Sequence, residues 1–247
     1  MKTYRAVLFD LFDTIVDFHR DRLPQVRFGE QTLFSTSGVV YEVLRGYAPQ
    51  LEFETFYEAF RESWRQVEER RKAELREYPS HVRFRRLLEL LHLETLSDDV
   101  VERLVRAHME TWSRGAELPE ANRQLLLRAR ERFPLGLVSN FDHPPTAHRI
   151  LRDFGISELF TVIVISAEVS WRKPHREIFL RALTRLEVSP RDALFVGDTF
   201  EADVLGAKSI GMDVAWLNRR GEDIPEDVVD PDYVLARLED LAPVLGL

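Results

Sequence analysis

The residues Ala6-Val7-Leu8-Phe9 are four apolar side chains in a row, too few for a helix, and they read as a strand buried on both faces. The run ends on a carboxylate, Asp10. In an open parallel sheet, ligands bind beyond the carboxyl ends of the strands, so Asp10 stands where chemistry is usually done. A lone Asp after a strand is explained as well by a turn. Here the pattern recurs. Ser139 follows Leu135-Gly136-Leu137-Val138, Lys173 follows Val162-Ile163-Val164-Ile165, and Asp198 follows Ala193-Leu194-Phe195-Val196-Gly197.

Helical patterns separate these runs. One spans Pro119 to Arg132, and another carries His148, Ile150 and Leu151, with Gly155 placed to close it. A third has Ile178, Phe179, Ala182, Leu183 and Leu186 on its apolar side, with Pro174 suited to its first position. A fourth contains Asp203. Val214–Leu217 and, more weakly, Tyr233–Leu235 complete the strands. Strands alternating with helices predict an α/β fold with a doubly wound (Rossmann-like) parallel sheet.

The stretch after Thr14 is different. Asp17 to Arg27 has no clean period and reads as a loop or linker, and from about Gln31 to Asp99 no strand is expected. Phe53, Phe56, Phe60 and Trp64 recur at helical spacing and read as core. The charged run Arg65 to Glu77 reads as the solvated face of a long helix that ends at Tyr78-Pro79. Two more helices follow, bearing Phe84, Leu87, Leu88 and then Val100, Val101, Leu104. The expected organisation is therefore a core domain at 1–17 and 114–247 with an inserted all-helical domain at 18–113.

Composition narrows the function. A net charge of -8 argues against a nucleic-acid surface, and no apolar run approaches the ~20 residues a membrane helix needs. The four apolar residues before Asp10 are too few for a signal peptide. With no cysteine there is no disulfide, thiolate metal site or Cys nucleophile, which fits a cytoplasmic protein. The seven histidines show no metal-ligand spacing, and no feature points to a protein partner.

At one sheet edge, Asp10, Ser139, Lys173 and Asp198 make sense together. Two carboxylates form a hard-oxygen site for Mg²⁺. Lys173 and Ser139 supply donors for phosphoryl oxygens, and Asp10, with its charge balanced, can attack phosphorus.

These residues sit in four motifs: Asp10-Leu-Phe-Asp-Thr14, Ser139-Asn140, Lys173-Pro174 and Gly197-Asp-Thr-Phe-Glu-Ala-Asp203. In that order and spacing the chain resembles the haloacid dehalogenase (HAD) superfamily of hydrolases, whose helical cap follows the first motif. The resemblance implies that Asp10 is a nucleophile forming an aspartyl-phosphate. It implies Mg²⁺ held by the side chains of Asp10 and Asp198 and the backbone carbonyl of Phe12. Ser139, the Asn140 backbone and Lys173 would bind the phosphate of a small phosphorylated substrate. Asp203 would act from behind the metal ligands, or through water on the metal.

One position departs from the pattern. Phosphatases of the family carry a second Asp two residues after the nucleophile, to protonate the leaving group; here that residue is Phe12. General acid–base help is worth roughly two to four powers of ten in rate. The next residue, Asp13, is expected to point away from Asp10 by strand alternation. Three readings follow. The first is a Mg²⁺-dependent phosphatase with atypical leaving-group protonation. The second is a metal-independent 2-haloacid dehalogenase, since those relatives have an aromatic residue here. The third is a binding or regulatory protein that keeps the fold. Asp198 favours the first, because two neighbouring carboxylates without a cation are unfavourable. His143 could line the mouth of the site or simply face solvent, and Trp171 is expected to pack under a loop.

Overall fold

A computed structural model describes residues 2–247, which divide into two compact units. One comprises residues up to Asp17 together with Glu117–Leu247; the other is Phe18–Ala116.

The first unit is built on a six-stranded sheet. Its strands, in spatial order, are Tyr233–Leu235, Asp213–Leu217, Ala193–Gly197, Ala6–Phe9, Leu135–Ser139 and Val162–Ile165, and every neighbouring pair is parallel. The strands are short, runs of three to five largely apolar residues. Ala6 to Phe9 and Ala193 to Val196 are fully buried, as expected for strands covered on both faces. One face packs Leu8, Phe195 and Trp216 against Ile178, Phe179 and Leu183 of the helix Arg176–Leu186. The rings of Phe179 and Phe195 meet edge to face at 5.1 Å. Each such side chain, fully buried, contributes about 1.5–3 kcal/mol.

Register sets the functional edge. Phe9 pairs with Val196 and with Leu137, and Ser139 pairs with Ile165. The residues just past Phe9, Val138 and Val196 therefore emerge side by side. The Lys173–Pro174 peptide is cis. Contrary to the sequence expectation, Pro174 is not the first helical residue. That helix begins at Arg176, and the ring nitrogen Nδ1 of His175 accepts the Glu177 N–H at 3.3 Å.

The second unit has helices Ser37–Arg45, Phe53–Glu74, Ser80–Leu90 and Asp98–Trp112. Val40, Leu44, Phe56, Phe60, Phe84, Leu87 and Leu104 are buried. Trp64, expected in this core, is instead 51% exposed. The unit is also not all-helical. Gln25–Phe28 and Gln31–Phe34 form an antiparallel hairpin, with Phe28 paired to Gln31 and Gly29 turning at φ +57°. Its signal is the alternation Gln-Val-Arg-Phe before Gly-Glu, weakened because only Val26 is buried. Among the described residues, no helix is long and apolar enough to cross a membrane.

Gly136 is a close-approach position. A Cβ there would lie 2.9 Å from Leu8 Cγ and 3.1 Å from Leu186 Cδ1. Gly136→Ala is expected to overpack the sheet and cost about 1–3 kcal/mol, read as a lower urea midpoint with an unchanged slope.

Candidate active site

Asp10 continues the sheet by one step: its N–H donates to Val196 O at 2.9 Å, which fixes its carboxylate at the edge. Lys173 approaches from the loop after Val162–Ile165. Its Nζ lies 2.6 Å from Asp10 Oδ1 and 2.7 Å from Asp203 Oδ1. All three are buried, Asp203 completely and Lys173 to 3% exposure. Asn140 holds this loop in place. Its side chain accepts from Lys173 N–H at 2.7 Å and donates to Lys173 O at 2.9 Å. The sequence had suggested the Asn140 backbone as a phosphate contact; the structure adds this clamping role for the side chain. Ser139, 1% exposed, ends its strand at the same edge.

Asp203 lies on a π-helical turn, Phe200–Leu205, of the kind often found at functional sites. Its Oδ2 accepts the Thr199 N–H at 2.9 Å. The carboxylate packs over Gly197, where a Cβ would lie 2.3 Å from Asp203 Oδ2. Only glycine fits there. Asp203 thus touches Lys173 directly. Asp198 Oδ1 receives the hydroxyls of Thr14 at 3.4 Å and Thr199 at 3.5 Å, both long. Its backbone carbonyl accepts the indole N–H of Trp216 at 2.9 Å.

One carboxylate oxygen from each of Asp10, Asp198 and Asp203 falls within a 4.8 Å cluster. One ammonium faces three carboxylates. Burial pushes Asp10 up to about 6, with Lys173 opposing and Asp203 reinforcing the shift. Burial also pushes Asp198 up to about 7, helped by the charges of Asp10 and Asp203. Burial works against a charged Lys173, but the attraction of Asp10 and Asp203 outweighs it and holds the ammonium above its ordinary range. An all-oxygen, electron-rich and partly buried donor set suits a hard divalent cation. Asp203 is engaged by Lys173 and Thr199, and Asp10 by Lys173 through Oδ1.

The Phe12 ring packs against Phe141, centroids 5.0 Å apart. Phe141 is itself fixed, its N–H and O both bonded to Ser166 Oγ at 2.9 and 3.2 Å. The strand ends at Phe9, so alternation does not extend to residue 13. Asp13 adopts a left-handed backbone, φ 59°, and lines a cavity with Asp198. His143 precedes the helix Pro144–Asp153, and its Nδ1 lies 2.9 Å from Thr146 Oγ1. Trp171 stacks on His175 at 3.8 Å and packs on the core. Thr14, Thr199 and Gly197 were legible as neighbours of motif residues. Trp216 was not, because in sequence it is one more apolar strand residue.

The model of the haloacid dehalogenase-like hydrolase family matches residues 4–211. YfnB of Bacillus subtilis (strain 168), assigned as a HAD-hydrolase, is 28% identical over 100% of this chain and 97% of its own. Its magnesium-bound crystal structure superposes with a TM-score of 0.65, at 24% identity over 100% of both chains. A glyceraldehyde 3-phosphate phosphatase of Pyrococcus furiosus is 28% identical over 99% of this chain and 94% of its own. The crystal structure of a 2-haloacid dehalogenase from Pseudomonas syringae shares the fold. Its TM-score is 0.74 at 22% identity, covering 100% of this chain and 99% of the other.

The raised Asp10 and Asp198 have a stability consequence. A carboxyl held above its unfolded value keeps its proton longer in the native state, so the penalty is absent near pH 4 and grows as pH rises through 6 to 7. In chelator at pH 8, Asp198→Asn is therefore expected to melt above the wild type, by about 2–4 °C for each kcal/mol relieved. The gain should shrink towards pH 5. Thermal melts across that range check it, and equal melting at pH 8 would refute it.

Proposed function

Because the chain belongs to the haloacid dehalogenase-like hydrolases, we propose that it hydrolyses small phosphomonoesters in a Mg²⁺-dependent reaction with Asp10 as nucleophile. The observation that carries this reading is the pairing of Asp10 with Asp198 in one buried, electron-rich cluster. Such a pair is costly without a cation. The relative from Pyrococcus furiosus, a phosphatase of a small sugar phosphate, supports the same substrate class.

In this reading one oxygen of Asp10 bonds to phosphorus while the ester P–O bond breaks, giving an aspartyl-phosphate that water then hydrolyses. Lys173, bonded to Asp10 Oδ1, keeps the nucleophile ionised and, with Ser139 and the Asn140 backbone, receives the phosphoryl oxygens. Asp10, Asp198 and the Phe12 carbonyl would hold Mg²⁺, which when bound supplies positive charge against the phosphoryl oxygens. Asp203 holds Lys173 and the Thr199 turn in position. The unit Phe18–Ala116 would serve as the cap that selects the substrate. Phe12 cannot donate a proton, so good leaving groups are favoured. Phe12 is also the feature that favours a second reading, 2-haloacid dehalogenation, which needs no leaving-group proton.

Asp10→Asn and, separately, chelation of Mg²⁺ are expected to abolish turnover of p-nitrophenyl phosphate. Chloride release from a 2-haloacid in chelator would instead establish the dehalogenase reading. Phe12→Asp is expected to speed alkyl phosphates by roughly 10²-fold or more while changing aryl phosphates far less, read as kcat on matched substrates.

A further inference from the structure

The cavity lined by Asp13 and Asp198 is also lined by Arg219 and Arg220. Its volume is about 390 Å³, near the small end of the roughly 300–1,000 Å³ typical of ligand sites. It therefore suits a compound of a few carbons. The two arginines stand on a built loop rather than a loose one. Asn218 Oδ1 accepts the Glu222 N–H at 2.9 Å, and Asn218 Nδ2 donates to Glu222 O at 2.8 Å. The Asn218 N–H donates to Leu235 O at 2.8 Å, tying the loop to the neighbouring strand.

The arginines differ in constraint. Arg219 is oriented by Asp17 Oδ1 at 2.5 Å and Thr14 O at 3.3 Å. A guanidinium has five N–H donors, so Arg219 retains donors for a ligand while its direction is already fixed. Arg220 is 86% exposed, and its contact with Glu222 is 3.9 Å between two exposed groups, which binds it weakly. The carboxylates that line the cavity are Asp13, Asp198 and Glu222, and Arg219 and Arg220 are its two cations, so the arginines are where an anionic tail is attracted.

We propose that Arg219 and Arg220 form a second anion subsite. It takes the carboxylate of a small phosphorylated carboxylic acid whose phosphoryl group lies at Asp10. The proposal rests on the phosphomonoester reading and names its substrate class. The planar guanidinium fork matches a carboxylate in two parallel hydrogen bonds, so recognition depends on arginine and not on positive charge alone.

Phosphonates test it without turnover, because their C–P bond does not undergo ester hydrolysis. Calorimetry with Mg²⁺ present would compare phosphonates ending in a carboxylate, two to four methylenes from phosphorus, with methyl-ended counterparts. The wild type is expected to bind the best carboxylate about tenfold tighter, equivalent to about 1.4 kcal/mol. Arg219→Gln/Arg220→Gln should lose that preference, and Arg220→Glu should invert it. Arg220→Gln alone, at an exposed side chain, should lose part of it and guards against a folding defect in the double variant. No preference in the wild type, a preference surviving in the double variant, or no phosphonate binding at all would overturn the subsite. Preference without turnover of any phosphate ester would fault the hydrolytic reading instead. Turnover of p-nitrophenyl phosphate without preference would fault the subsite alone.

Discussion

A single ammonium group organises this edge of the molecule. Lys173 Nζ lies between Asp10 and Asp203, with all three groups nearly or wholly removed from solvent. Taking ions out of water costs several kcal/mol each, so such a cluster is a poor source of stability. Its value is positional. Removing any one member would strand the others, so the three hold one another where water would otherwise let them swing. The supports run outward from there: Asn140 to the Lys173 backbone, Thr199 to Asp203, and Trp216 to the Asp198 carbonyl.

The same arrangement explains why glycine is needed at 197. The carboxylate of Asp203 occupies the space a side chain would fill, and this packing is what lets a residue five positions past Asp198 reach back to Lys173. The fully buried strand ends supply a rigid base, and the wide turn after Thr199 supplies the reach.

Much of this was legible in the chain. Short apolar runs ending in polar residues located the strands and the functional edge, because a parallel sheet forces its strand ends together. Asp10, Ser139, Lys173 and Asp198 were singled out this way, while Asp203 came from the resemblance. The failures have physical causes. The hairpin Gln25–Phe34 buries little, so its alternation is faint. The alternation argument does not apply to Asp13, because the strand ends at Phe9 and Asp13 has a left-handed backbone. Trp216 and Arg219 act through contacts with residues far away in sequence, Asp198 and Asp17, which no local pattern encodes.

The sheet order carries a consequence for biosynthesis. The strand Ala6–Phe9 leaves the ribosome before its partners, yet it sits inside the sheet, with Val7 beside Leu135 and Leu194. The whole unit Phe18–Ala116 is translated before either partner exists. The nascent chain must therefore carry an unpaired, wholly apolar segment while an intervening unit folds. Such delayed, long-range pairing is slow and leaves a sticky edge exposed. The segment that leads into Asp10 thus waits longest for its neighbours, and in a crowded cell that segment is where a nascent-chain chaperone has most reason to bind.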